Sequence, residues 1–243
     1  MLIEELREKW WSRVLNAGLR DENVIVRAGP LSPVEAIGKP KKWIFPLMIG
    51  REVMIEAEIK GFKGQAYTDM PSNFSGNLYD VYNLSLNSNG ERAILISTIN
   101  ATYRLLGLIS NTRHCRDDGP EKCAMKIASK LYDIYGDVKI GLIGHQPAIL
   151  HYLTLKFSRV RVTDMDPSNI GRSVNGVIIE SHENNFDLID WSDVVLVTGT
   201  TIVNNTIDEI LNAGREKELY FYGVTIAAAA FEFKLNRLCF ESK

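Results

Sequence analysis

The sequence predicts an α/β protein: a small α+β N-terminal part with an antiparallel meander, then an open, mostly parallel sheet flanked by helices. Three observations carry this. Beyond residue 136, short apolar runs rich in β-branched residues alternate with helical stripes, the pattern of βαβ units. Earlier in the chain, residues 53–59 alternate, with Val53, Ile55, Ala57 and Ile59 on one side and Met54, Glu56 and Glu58 on the other, which reads as a half-buried strand. Between the two textures, residues 110–119 (SNTRHCRDDG) form a polar, charged stretch ending in Gly-Pro. That stretch divides the chain into expected domains 1–110 and 111–243.

The elements follow in order. Residues 2–17 recur at helical spacing through Ile3, Leu6, Trp10, Val14 and Ala17, with Gly18 as a stop. A strand is expected over 24–27, closed by Gly29-Pro30. Residues 31–42 carry Pro33, Gly38 and Pro40 and read as a loop, and 43–48 are apolar but broken by Pro46. After the strand at 53–59, Gly61 and Gly64 read as breaks, 65–68 as a further short strand and 69–77 as a turn-rich loop. Residues 91–108 form a helix that is apolar nearly all round and therefore buried. Its Asn100, Tyr103 and Arg104 fall on one side at about 100° per residue. Two readings of that side stand open, an internal hydrogen-bond network or a wall of a cleft.

Pro120 suits a helix start, and Ala124, Ile127, Ala128, Leu131 and Ile134 form its stripe up to Gly136. Strands follow at 138–143, 159–163, 194–197 and 219–222, with a last one at 237–240. Helices fill the gaps to about residue 157, at 205–211 and at 227–233. Residues 176–180 read as an extra strand or an ordered loop.

In an open parallel sheet the loops at the carboxyl ends of the strands line one crevice. Here those loops are Gly144-His145-Gln146, Asp164-Met165-Asp166-Pro167, Thr198-Gly199-Thr200-Thr201 and Gly223-Val224-Thr225. The stretch 193–208, DVVLVTGTTIVNNTID, is the most explicit: a buried strand, a small hydroxyl-rich turn, then Asn204, Asn205 and Thr206 before a helix. Thr198 and Thr200 around Gly199 let backbone approach an anion or a hydroxyl-rich ligand. Thr206 and Glu209 match a capping box. Gly141 and Gly144 are half of a dinucleotide fingerprint, and Asp164 lies 20 residues beyond Gly144, where a ribose-binding carboxylate is expected. Asp164 has an equal reading as a turn cap. His145 is the candidate for proton transfer, because imidazole titrates near neutral pH.

Composition excludes several classes. The 243 residues are 45% hydrophobic and 24% charged with a net charge of −2, which gives no electrostatic case for nucleic acid or a membrane surface. No basic region leads into an apolar one at the start, so no secretory leader is expected, and no run reaches the ~18 residues of a spanning helix. The expected setting is cytoplasmic and the default assembly a C₂ homodimer. Nothing matches a P-loop, a nucleophile elbow, HExxH or paired CxxC spacing. His114, Cys115 and Cys123 place three soft donors within ten residues. They are compatible with a transition metal ion or a Cys115–Cys123 disulfide, but the spacing is not standard and they lie in the inferred linker.

DVVLVTGTTIVNNTIDEIL resembles the signature of a family of unknown function labelled for heavy-metal chelation. VKIGLIGHQPAIL, VTDMDP and ELYFYGVTIAAAA resemble its other strand ends, and ISTINATYR its Thr-x-Asn-Ala helix. The resemblance implies an enolase N-terminal-like domain followed by a Rossmann-like domain, with a site in the cleft between them. It implies condensation or hydrolysis in handling pterin-, flavin- or siderophore-like chelators. Carried over, it points to Gly144, His145, Asp164, Thr198, Gly199, Thr200, Asn204, Asn205 and, from the other domain, Asn100; Gly223 joins them from the sheet edge. His145 and Asn100 would be catalytic and the rest ligand-binding. Two further readings stay open: a non-catalytic binder of a heavy metal or metal chelate, and a nucleotide- or S-adenosylmethionine-dependent transferase.

Overall fold

The computed structural model describes residues 1–28 and 53–243. The expected turn at 29–30, loop at 31–42 and apolar run at 43–48 lie outside the described residues.

Helix α1 (Leu2–Asn16) buries Ile3, Leu6, Trp10 and Val14 along one stripe. Strands β1 (Asn23–Ala28), β2 (Val53–Ile59), β3 (Phe62–Thr68) and β4 (Phe74–Asn77) form an antiparallel sheet in the order β3-β2-β1-β4. Gly61 breaks the strand as expected, at a turn. With Lys60 it makes a two-residue hairpin in which both residues have positive φ, 49° and 82°, the geometry that matches strand twist. Gly64, by contrast, is not a break. It sits inside β3, where a Cβ would lie 2.2 Å from the Ala101 nitrogen; its bareness lets a helix lie on the strand. Residues 74–77, expected as loop, pair with β1 instead. They lead into α2 (Leu78–Tyr82), started by a reciprocal capping box between Asn77 and Asp80.

Helix α3 (Asn89–Leu105) begins with a Ser88–Glu91 capping box and is buried on almost every side, as its apolar composition requires. The following stretch is not a free linker. Thr112 O accepts from Gln65 N at 3.0 Å, and Arg113 pairs its backbone with Lys243 in both directions.

The second half supplies α4 (Gly119–Tyr135), β5 (Lys139–Ile143), α5 (Pro147–Lys156), β6 (Arg159–Asp164), β7 (Ser173–Val174), β8 (Val177–Ser181), α6 (Asn185–Trp191), β9 (Val194–Thr198), α7 (Ile207–Ala213), β10 (Glu218–Tyr222), α8 (Ala227–Phe233) and β11 (Asn236–Leu238). The sheet order is β11-β10-β9-β5-β6-β8-β7, parallel except for the β7–β8 pair. Counted from β5, the parallel strands run 3-2-1-4-5-6, the order of doubly wound sheets. The direction of winding reverses between β5 and β9, so the crevice beyond their carboxyl ends is the predicted ligand position.

One buried apolar cluster runs from Ile3 and Val24 through Leu95 and Ile99 to Val197, Phe221 and Ala229. It is continuous across residues 110–111. A second fills the opposite face of the parallel sheet with Ile127, Leu131, Leu142, Leu150 and Leu196. A polar clamp ties three helices of the first cluster. Glu232 of α8 accepts from Arg13 Nε of α1 at 2.6 Å and from Tyr103 Oη of α3 at 2.7 Å. Burial works against the Glu232 carboxylate, but these two donors outweigh it and hold its pKa below the usual range. Glu232→Ala leaves the wholly buried Tyr103 hydroxyl without an acceptor. Unfolding in urea should register a loss of about 2 kcal/mol.

Candidate functional site

The strand ends meet at a cleft of about 480 Å³, within the size range of small-molecule sites. Gly144 turns the chain out of β5 with φ +90°, and a Cβ there would stand 2.7 Å from Thr198 Cγ2. Tyr222 Oη donates to Gly144 O at 2.8 Å. The ends of β5, β9 and β10 are thus in direct contact, and only glycine fits between them.

Asp164 joins the β5 and β6 loops. Its Oδ2 accepts from His145 N at 2.6 Å and its Oδ1 from Asp166 N at 2.7 Å. The expected turn cap is therefore present, while each oxygen keeps a lone pair for a ligand. Gln146 caps α5 through Ile149 N.

After β9 the chain makes a 3₁₀ turn, Gly199–Ile202. Thr198 Oγ1 donates to Thr200 Oγ1 at 3.2 Å and Thr201 Oγ1 donates to Thr198 O at 2.8 Å. Gly199 is buried against the next strand's turn, where a Cβ would meet Ile226 Cβ at 2.9 Å. The Thr206–Glu209 capping box does not form. Thr206 has a helical backbone and makes no side-chain cap. Asn204 Oδ1 instead accepts both the Thr206 amide and its hydroxyl. Asn204 lines the cleft and Gly223 does too. Asn205 does not: it takes a left-handed turn conformation, φ 66°, and is exposed.

The opposite wall comes from the antiparallel sheet and α3: Tyr67, Thr68, Asp69 and Asn89. Tyr67 N donates to Thr225 Oγ1 at 3.1 Å, which fixes this wall to the end of β10. Asn100, expected here as a catalytic group, is elsewhere. It is wholly buried. Its Nδ2 donates to the carbonyls of Gln65, Val224 and Thr225, and its Oδ1 accepts from Ala228 N. All four partners are backbone, so Asn100 positions the wall rather than facing a ligand. Tyr103 belongs to the Glu232 clamp.

Three of the four histidines line the cleft: His114, His145 and His182. Among the described residues, His145 Nε2 and His182 Nδ1 are buried side-chain atoms without a hydrogen-bond partner. Burial pushes the His145 pKa down, and the Arg172 charge adds to this against the opposing Asp164 carboxylate. The ring is therefore neutral at pH 7 and able to accept a proton. The sign for stability follows. The unfolded imidazole titrates at about 6.5, above the folded one, so the unfolded chain takes up the proton first as pH falls. Stability is present above pH ~6.5 and lost on acidification through the folded pKa. His145→Gln should flatten the decline in melting temperature between about pH 7 and 5. His182 was hidden in the sequence because β8 joins β6 without a helix between them. Its signal is the Ser181-His182 step at the end of a strand on the same edge.

The three cysteines line the cleft as well and are free thiols, so the Cys115–Cys123 disulfide is not formed. Burial pushes the Cys115 pKa up. Interaction with Cys239, together with burial, pushes the Cys123 pKa up, while interaction with Cys123 and the Arg237 charge holds that of Cys239 down. Among the described residues no group of three or more His, Cys, Asp or Glu is arranged to hold a metal ion, and no helix is long and apolar enough to cross a membrane.

Comparison with known proteins agrees with this architecture. The model of the DUF364 family, described as "Putative heavy-metal chelation", matches residues 128–238, a little under half of the chain. The fold is similar to that of a protein with unknown function from the DUF364 family of Pyrococcus horikoshii, with a TM-score of 0.54 and 16% identity over 93% of this chain and 79% of that one. A DUF364-family protein with unknown function from Desulfitobacterium hafniense DCB-2 is similar at a TM-score of 0.53 and 14% identity, over 75% of this chain and 72% of that one. At these identities the likeness shows the fold alone. No curated protein matches.

Proposed function

We propose that the cleft between residues 1–110 and 111–243 binds a small, polar heteroaromatic ligand and acts on it by condensation or hydrolysis, in the handling of a pterin-, flavin- or siderophore-like metal chelator. One observation carries the reading: two buried imidazole nitrogens in the cleft wall have no partner among the described residues. Buried polar atoms are ordinarily hydrogen-bonded, and leaving one unpaired costs about 1–3 kcal/mol. A ligand with ring nitrogens or carbonyls would satisfy both. His145 would take a proton from it, and Thr198 and Thr200 would supply hydroxyls at the turn. Ile143 and Leu238, also in the wall, offer an apolar face to a ring. The family description supports the link to metal chelation.

A second reading has its own observation. Asp164 ends the strand counted as second in a 3-2-1-4-5-6 sheet, where a ribose-binding carboxylate sits in dinucleotide-binding folds. That favours a transferase using a nucleotide or S-adenosylmethionine. A thermal-shift series with pterins, flavins, nucleotides and S-adenosylmethionine separates the two. A true ligand at a hundredfold over its Kd adds about 2.7 kcal/mol of stability. Stabilisation by pterins or flavins supports the first reading, and by nucleotides or S-adenosylmethionine the second. No stabilisation by any class contradicts both. Once a reaction is in hand, His145→Ala should weaken binding by about tenfold and lower turnover by about a hundredfold or more.

A further inference from the structure

The cleft has two unlike halves, set by strand order. Along the sheet edge the strands stand in the order β10, β9, β5, β6 and β8. His145 follows β5 and His182 follows β8, two strands apart, or about 10 Å at the usual spacing. Further hydrogen-bonding side chains stand on this side: Asp164 after β6, and Asn185, whose Oδ1 accepts from Thr163 Oγ1 at 2.7 Å. β10 lies four strands from β8, about 19 Å away.

The β10 side is lined differently. Ala124 and Ile127 of α4, Ile149 in the first turn of α5 and Tyr222 at the end of β10 border the cleft and belong to one buried apolar cluster, against which Tyr67 packs. Ala124 and Ile127 are one helical turn apart, so α4 turns a single apolar face to the cleft. Two polar groups on this side are engaged with backbone. Tyr222 Oη donates to Gly144 O at 2.8 Å, and His114 Nδ1 donates to the Cys115 carbonyl oxygen at 2.6 Å. Rings and sulfur complete the lining. The Tyr67 and His114 rings meet edge-on, with centroids 5.7 Å apart at 85°. Cys115 and Cys123 are buried thiols, which pack as small apolar residues.

A bare heteroaromatic ring held between His145 and His182 leaves this half unfilled. At about 480 Å³, the cleft has the size of sites that enclose drug-sized molecules. Water in an apolar recess finds few partners, so an apolar group that displaces it gains affinity. Ring edges and sulfurs favour an aromatic group over an alkyl one of similar size.

Resting on the heteroaromatic reading, we propose that the ligand carries an uncharged aromatic arm and that the half of the cleft between α4 and β10 is the subsite that holds it. The polar ring sits at His145 and His182, and the arm reaches along the sheet edge to Ile127 and Ile149.

The test uses the full-length protein with ¹³C-labelled isoleucine methyl groups. It is titrated with benzyl alcohol and with cyclohexanemethanol, which share a hydroxymethyl group and differ in the ring. Benzyl alcohol is expected to shift the Ile127 and Ile149 methyl resonances saturably at about millimolar concentration. Cyclohexanemethanol should bind about threefold more weakly or worse. Ala124→Leu, which fills the subsite, should weaken benzyl alcohol by about tenfold or more, with circular dichroism to confirm the fold. The proposal is overturned if Ile127 and Ile149 do not shift, if cyclohexanemethanol binds as well as benzyl alcohol, or if folded Ala124→Leu binds benzyl alcohol as the wild type does. Should Ala124→Leu fail to fold, the two wild-type titrations decide. Benzyl alcohol has no heterocycle to engage His145 or His182, so its failure contradicts the arm alone. Failure of the heteroaromatic reading shows instead in the imidazole resonances.

Discussion

Asn100→Ala is expected to lower the unfolding free energy by about 3 kcal/mol. The side chain is wholly buried and joins α3 to β3 and to the turn between β10 and α8. Truncation leaves the Ala228 N–H and the Gln65 and Thr225 carbonyls short of a partner in a place water does not reach, while Val224 O keeps the Ala227 N–H. Unsatisfied buried groups cost more than the bonds themselves contribute. Asn100→Asp separates hydrogen bonding from size. It retains an acceptor for Ala228 N but turns a carboxylate oxygen toward three carbonyls, so it should be at least as destabilising as alanine. Urea unfolding at constant m-value measures both. A loss under about 0.5 kcal/mol, the range of ordinary surface substitutions, would contradict the positioning role given to Asn100.

Gly64→Ala should have a comparable effect through packing. The added Cβ would lie 2.2 Å from Ala101 N, 2.4 Å from Ser97 O and 2.7 Å from the Asn100 carbonyl carbon. All three are backbone atoms of α3, so no side chain can rotate away. Either α3 lifts from β3 or β3 distorts. Overpacking of this kind costs about 1–3 kcal/mol and sometimes more, and rigid backbone on both sides places this case at the upper end. Gly64 and Asn100 act on the same contact, so the double variant should lose less than the sum of the two singles. Full additivity would mean that they support α3 independently.

Much of the framework is legible in the sequence because it is periodic. The alternation of 53–59 and the apolar runs near 140, 195 and 220 give β2, β5, β9 and β10 almost residue for residue. The glycine, threonine and acidic residues that follow those runs are where the cleft lies. What escapes has identifiable causes. β4, α2 and α6 are short, and their stability comes from a neighbour or a cap rather than from period. Gly64 looks like a break because its reason, the backbone of α3, is distant in sequence. The Thr206–Glu209 box loses to Asn204, two residues upstream, which reaches the same amide. Asn100 satisfies a buried-polar pattern that fits a network and a cleft wall equally, and only its partners decide. His182 and Cys239 reach the cleft through strand order, which no local pattern encodes.

The most direct test of the cleft is a titration of ¹⁵N-histidine-labelled protein followed through the imidazole resonances, with a pterin carboxylate, flavin mononucleotide, adenosine monophosphate and S-adenosylmethionine in turn. Saturable shifts of His145 and His182 with at least one compound are expected, while His151, on α5 away from the cleft lining, stays in place. If no compound moves His145 and His182, or if a stabilising compound moves His151 alone, the cleft is not the ligand site.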